Sequence, residues 1–162
     1  LAAENMATMV ITEESVFPEL SPEMFSPHVH FLNIAPRQIC DMLPGQATAT
    51  DRLKLALAAF LHHATISSSD PVYLDFYTAN RALMDSFCTF ERHAAPGEGA
   101  GLTSQPEVGM SIYWDAEKIL LVFANLAETA QSFSWRLFCP EIREGHSQIG
   151  PLAIETVLLT RI

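Results

Sequence analysis

Apolar residues recur with a helical period in the middle of the chain and with a strand period in its last third. From position 50 onward, Leu53, Leu57, Phe60, Leu61 and Ala64 fall at i, i+4, i+7, i+8 and i+11, which is one face of a helix. Leu55, Ala56, Ala58 and Ala59 fill much of the remaining circumference, so a helix over 50–66 is predicted to be buried on more than one side. Thr50 or Asp51 supplies the oxygen that caps its first free backbone N–H groups. Ser67, Ser68 and Ser69 read as a loop. Asp70 then caps a second helix, with Pro71 at its first position, where the missing N–H costs nothing. This helix is predicted over 71–93, ending ahead of Pro96 and Gly97. Tyr73, Phe76, Tyr77, Leu83, Met84, Phe87 and Phe90 form its apolar face, and Asp75, Arg81, Asp85, Glu91 and Arg92 its wet side.

Beyond position 109 the period changes to two. Strands are predicted over 110–114, 118–126, 132–139 and 152–160, with the hairpin turn Asp115-Ala116-Glu117 joining the first pair and a polar loop over 140–151. The third strand alternates cleanly: Phe133, Trp135, Leu137 and Cys139 on one face, Ser132, Ser134 and Arg136 on the other. The second is apolar on both faces, as a central strand is. Residues 1–45 are acidic and broken by Pro18, Pro22, Pro27, Pro36 and Pro44; two short strands, 8–12 and 29–34, are predicted there, with an irregular arm over 17–27. Residues 94–107 read as a Gly/Pro linker. The fold class that follows is α+β: an antiparallel sheet of four to six strands, two central helices (50–66 and 71–93) on one face, and a C-terminal β-meander, all in one domain over 1–162.

Charge narrows the functional classes. The chain has 162 residues, 19 acids, 9 bases and a formal net charge of −10. Glu4, Glu13, Glu14, Glu19 and Glu23 all precede the first basic residue, Arg37. Such a surface repels phosphate, which argues against nucleic acid and anionic membrane as partners and favours a basic protein or self-association. No apolar run approaches the roughly 20 residues of a spanning helix. Residues 1–10 lack the basic start of a signal peptide, and Leu1 in place of Met points to a processed or truncated start. Cys40, Cys88 and Cys139 form no CxxC and are odd in number, which suits free thiols in the cytoplasm or another reducing compartment.

Candidate chemistry is sparse. His28 and His30, two apart on a predicted strand, share a face and could reach one metal with help from Asp41, His62 or His63. No HExxH or other ligand spacing accompanies them, so this is the minor alternative and no metal or cofactor is expected. His62, His63 and His93 sit near helix C-termini, where a cation meets the helix dipole well. The run Gly97-Glu98-Gly99-Ala100-Gly101 lacks the Lys-Ser/Thr of a phosphate loop, and no GxSxG is present.

Aromatic residues carry more weight. Tyr113 and Trp114 are neighbours on a strand and point to opposite faces, as do Trp135 and Phe138. One face meets the helices; the other would present Tyr113 or Trp114 with Phe138 and Arg136. Tyr113, Trp114, Arg136 and Phe138 are thus the predicted interface of a non-enzymatic interaction or assembly subunit with an acidic docking surface. The alternative is a ligand-binding or enzymatic cone, its pocket lined by Tyr73, Tyr77, Trp114 and Trp135, with His62 or Asp75 as base.

Overall fold

A computed structural model describes residues 9–10, 20–23, 37–41, 43–87, 89–90 and 92–162. In chain order the elements are β1 (Met9–Val10), β2 (Arg37–Cys40), α1 (Ala49–Leu61), β3 (Ala64–Ser67), α2 (Pro71–Phe87), β4 (Arg92–Ala94), β5 (Gly101–Thr103), β6 (Val108–Trp114), β7 (Lys118–Asn125), β8 (Gln131–Leu137), β9 (Arg143–Ile149) and β10 (Ile154–Thr160). The class is α+β. The predicted strand 29–34 and most of the arm 17–27 lie outside the described residues, as do His28 and His30.

Helix α1 starts at a capping box. Thr48 Oγ1 accepts from Asp51 N (3.1 Å), and the Asp51 carboxylate accepts from Thr48 N (2.8 Å). Those bonds from Thr48 hold the Asp51 carboxyl below the usual carboxylate range. The helix stops at Leu61, earlier than the 66 expected from apolar spacing. His63 takes a left-handed conformation, φ 50°, and the β-branched Thr65 and Ile66 continue as β3. The strand β3 pairs in parallel with β2, so β2–α1–β3 is a right-sized parallel crossover unit that sequence periodicity does not reveal. Asp70 caps α2 as expected, accepting from Val72 N at 2.9 Å, and Arg52 of α1 reaches Asp70 at 3.0 Å. That ion pair, both partners half-shielded, ties the starts of the two helices together. Helix α2 ends at Phe87 rather than 93, and Arg92–Ala94 pairs with β6 as β4.

The seven antiparallel strands are divided between two sheets, one ordered β10-β7-β6-β4 and the other β5-β8-β9. Two segments read as loops contribute strands: the linker supplies β5, and the polar loop 140–151 supplies β9. The meander is therefore interrupted. After the β6–β7 hairpin, β8 and β9 cross to the second sheet, and β10 returns to pair with β7 along its full length.

Three layers result. Helix α1 lies on the β6–β7 face and α2 packs on α1, with Phe60 and Phe76 edge to face at 5.7 Å. Their shared core holds Leu57, Phe60, Leu61, Tyr73, Tyr113, Leu120 and Val122. The opposite face of the same sheet (Met110, Ile112, Ile119, Leu121, Phe123) meets Phe133, Trp135, Leu137 and Ile149 of the second sheet. Strand β7 is apolar on both faces because both are covered. Two glycines permit close approach between layers. A Cβ on Gly109 would stand 2.4 Å from Leu61 Cδ1, and one on Gly145 would stand 2.4 Å from the Trp135 ring. Beside Gly109, Ser111 Oγ donates to Leu61 O, so β6 also holds the C-terminal end of α1 by a hydrogen bond.

Candidate interaction surface

The layering decides where each predicted site residue stands. Tyr113 is 1% exposed and faces the helices, near His63 and Phe90. Burial raises its hydroxyl far above the ordinary tyrosine range. It belongs to the helix-side core and offers nothing to a partner. Trp114 points the other way and is half-buried against the core between the sheets. Arg136 and Phe138 are exposed on the outside of the second sheet, the guanidinium 5.6 Å from the ring centroid. Exposed Leu102 stands opposite Arg136 in the β5–β8 pairing. The four residues thus divide into one core residue, one half-buried residue and an exposed pair. The uncovered aromatic face foreseen from alternation is covered by β5-β8-β9.

The alternative pocket is taken apart by the same layering. Tyr73 and Tyr77 belong to the core on the helix side, whereas Trp114 and Trp135 lie on the far side of the four-stranded sheet. Burial raises the Tyr73 hydroxyl, with the Asp41 carboxylate adding to the effect. Burial likewise raises that of Tyr77, which accepts from Ile66 N at 2.8 Å and so fixes α2 against β3.

His62 and His63 are buried at the end of α1. His62 Nε2 is 2.8 Å from the carbonyl of Pro22; since a carbonyl only accepts, Nε2 carries the proton. Burial pushes His62 down to about 4, against the opposing pull of that carbonyl, and pushes His63 down to about 4 as well. Both are neutral at pH 7 and brace the fold. The helix-dipole role predicted for a cation at this place does not apply to an uncharged ring.

Among the described residues, grooves open on the surface at three places. One of about 460 Å³ runs over the second sheet past Ser104, Ser132, Ser134, His146 and Gln148. A second, about 130 Å³, is lined by β5, the start of β6, the turns at Pro96–Gly97 and Gln105–Pro106, and Pro22. The third, about 430 Å³, lies between α1 and α2 at Leu53, Val72, Phe76 and Ala79, with Asp75 on its lining. His62 lines none of them. Ser134 and His146 are register partners in the first groove, which offers hydroxyls, an amide and an imidazole on an open face. Such a place can hydrogen-bond a ligand but does not exclude water from a reacting atom. Among the described residues no three His, Cys, Asp or Glu side chains converge as metal ligands. No helix is long and apolar enough to cross a membrane. Cys139 is an exposed free thiol.

A feature that sequence reasoning missed is the rim of the sandwich. Among the described residues the two antiparallel sheets have four edge strands: β10 and β4 on one, β5 and β9 on the other. Strands β4 and β5 are three residues each. Strand β9, Arg-Glu-Gly-His-Ser-Gln-Ile, is polar and charged. Short length and charge are the usual means of blunting an edge. Strand β10, Ile-Glu-Thr-Val-Leu-Leu-Thr, is the least protected of these edges: seven residues, one charge at Glu155, no Pro, no Lys, and an unbroken register without a bulge. Asn125 N donates to Ala153 O and Arg161 N to Glu117 O, so the odd-numbered residues turn their backbone groups toward β7. Ile154, Thr156, Leu158 and Thr160 therefore turn theirs outward. Among the described residues no strand pairs with this edge; its one contact is Arg143 Nη2 donating to Thr160 O at 3.1 Å. Leu158 is 60% exposed. The one sequence signal was that 152–160 would be the last strand, since the last strand of a series often becomes an edge.

No protein-family model matches the chain, and no curated protein matches it.

Proposed function

We propose that the protein is a non-enzymatic interaction or assembly subunit whose principal contact is the open edge of β10. The observation that carries this reading is the contrast, among the described residues, between the edge strands of the two antiparallel sheets: three are short or polar, while β10 is seven residues long, unbroken by a bulge and carries Ile154, Val157, Leu158 and Leu159, with the backbone groups of its even-numbered residues outward. An edge of that kind adds a strand from a binding partner, gaining backbone hydrogen bonds and covering Leu158. The exposed Arg136–Phe138 pair with Leu102 offers a second, smaller contact on the neighbouring sheet. The net charge of −10 supports solubility of the free subunit and weighs against nucleic acid as its partner.

In-cell photocrosslinking tests the reading. A photoreactive residue placed at Leu158 is expected to give covalent protein adducts in much higher yield than one at Leu74, a comparably exposed position on α2 (53% against 60%). Equal yields at the two positions refute it. So does turnover of a compound that disappears when one polar side chain in a water-excluded cleft is replaced.

A further inference from the structure

We infer that the occupant of the β10 edge is a second copy of this chain, paired antiparallel about a two-fold axis through Val157. The inference rests on the reading of the protein as an interaction subunit and names its partner.

The register follows from the backbone. The outward residues are Ile154, Thr156, Leu158 and Thr160, and a two-fold axis at Val157 pairs all four: Ile154 with Thr160 of the partner subunit, Thr156 with Leu158 of the partner subunit, and their symmetry equivalents. Shifting the axis by half a residue turns paired groups away from each other. Shifting it by a whole residue leaves outward groups at one end without partners. The full-length register is therefore unique.

Charge selects the same arrangement. Glu155 is the only charged residue on β10, and Arg161 follows its end. In the two-fold register Glu155 stands opposite Leu159 of the partner subunit and is the diagonal neighbour of Arg161 of the partner subunit, within reach of long side chains. Symmetry makes this contact twice. Parallel, in-register pairing would instead set Glu155 beside its own counterpart, a like-charge contact that is unfavourable. On the helix-side face, exposed Leu158 would lie across from Thr156 of the partner subunit and diagonal to the second Leu158, so the most exposed apolar group of the strand is covered. The product is a continuous eight-stranded sheet with no open β10 edge.

Sedimentation equilibrium and directed crosslinking test this. The wild-type chain is expected at twice 17.9 kDa, and Leu158→Lys at 17.9 kDa with an unchanged circular dichroism spectrum. Thr156→Pro, which removes an outward N–H and leaves the β7 pairing intact, is a second variant expected to be monomeric. In a Cys139→Ser background, Val157→Cys is expected to form a disulfide-linked dimer under mild oxidation, because facing residues of a non-hydrogen-bonded pair lie about 4.5 Å apart, within disulfide range. Cys139→Ser alone is the control. A dimer that survives both edge variants and does not crosslink at 157 overturns the inference while leaving an interaction subunit that uses another surface. A monomer at all concentrations overturns it too. Adducts at Leu158 to a different, basic protein would then uphold the broader reading, and their absence would end both.

Discussion

Acid should destabilise this protein from about pH 6 downward, before most of its carboxylates are protonated, because two imidazoles must stay neutral in the fold. His62 is 0% exposed and His63 5%, and burial puts both near 4 rather than the ordinary 6.5. A base held down in the native state binds its proton first in the unfolded chain. Its contribution is therefore fully present above pH 6.5 and is lost as pH falls toward 4. Each pH unit in that window is worth about 1.4 kcal/mol per group, so each histidine accounts for roughly 3 kcal/mol and the pair for roughly 6. A domain of this size has a total stability of about 5–15 kcal/mol, so the pair consumes a large share of it by pH 4. Asp51 and Asp115 accept backbone N–H bonds and are held below the usual carboxylate range, so their loss begins only at lower pH. Urea unfolding followed by tryptophan fluorescence at pH 7.5, 6, 5 and 4.5 measures the slope. The expected fall is between about 1.4 and 2.7 kcal/mol per pH unit below 6. The double variant His62→Gln, His63→Asn should flatten it; Gln can still donate to Pro22 O, and Asn tolerates the left-handed backbone at φ 50°. A flat profile in the wild type, or an unchanged slope in the double variant, would refute the assignment of buried neutral rings.

Further outcomes follow from the packing. Asn125 is 0% exposed; its Nδ2 donates to Thr129 O and Gly150 O, each at 2.8 Å, and its Oδ1 accepts from Ala127 N at 2.9 Å. Asn125→Ala removes those three part-buried bonds and should cost about 1–3 kcal/mol in urea unfolding, the range for leaving one buried group unpaired. Gly109→Ala forces Leu61 and Pro22 back from β6 and should cost about 1–3 kcal/mol, read as a lower melting temperature. Gly145→Ala drives a methyl into the Trp135 ring, and should lower melting temperature and shift the tryptophan emission as the ring moves.

What the sequence determined by itself was local. The start of α2 at Pro71 was legible because capping and a fixed proline φ act within three residues. The strand cores in β6, β7 and β8 were legible because a period of two needs no knowledge of the partner. Opposite facing of Tyr113 and Trp114 was legible for the same reason, as was the apolar character of both faces of β7, although one of those faces was expected to stand open. Tertiary structure alone decided what those covers are. Alternation says which residues share a face, never which strand lies alongside; so β8 and β9 passed for a continuation of one meander, although they form a second sheet over Phe123 and Ile112. Strand β9 was read as loop because its outward residues face water and one inward position is glycine, left bare to admit Trp135. The pairing of β3 with β2 was hidden because it is parallel and joins residues on either side of a helix. The open edge of β10 was invisible for the deepest reason: an edge is defined by the neighbour it lacks, and no property of seven residues in isolation records that.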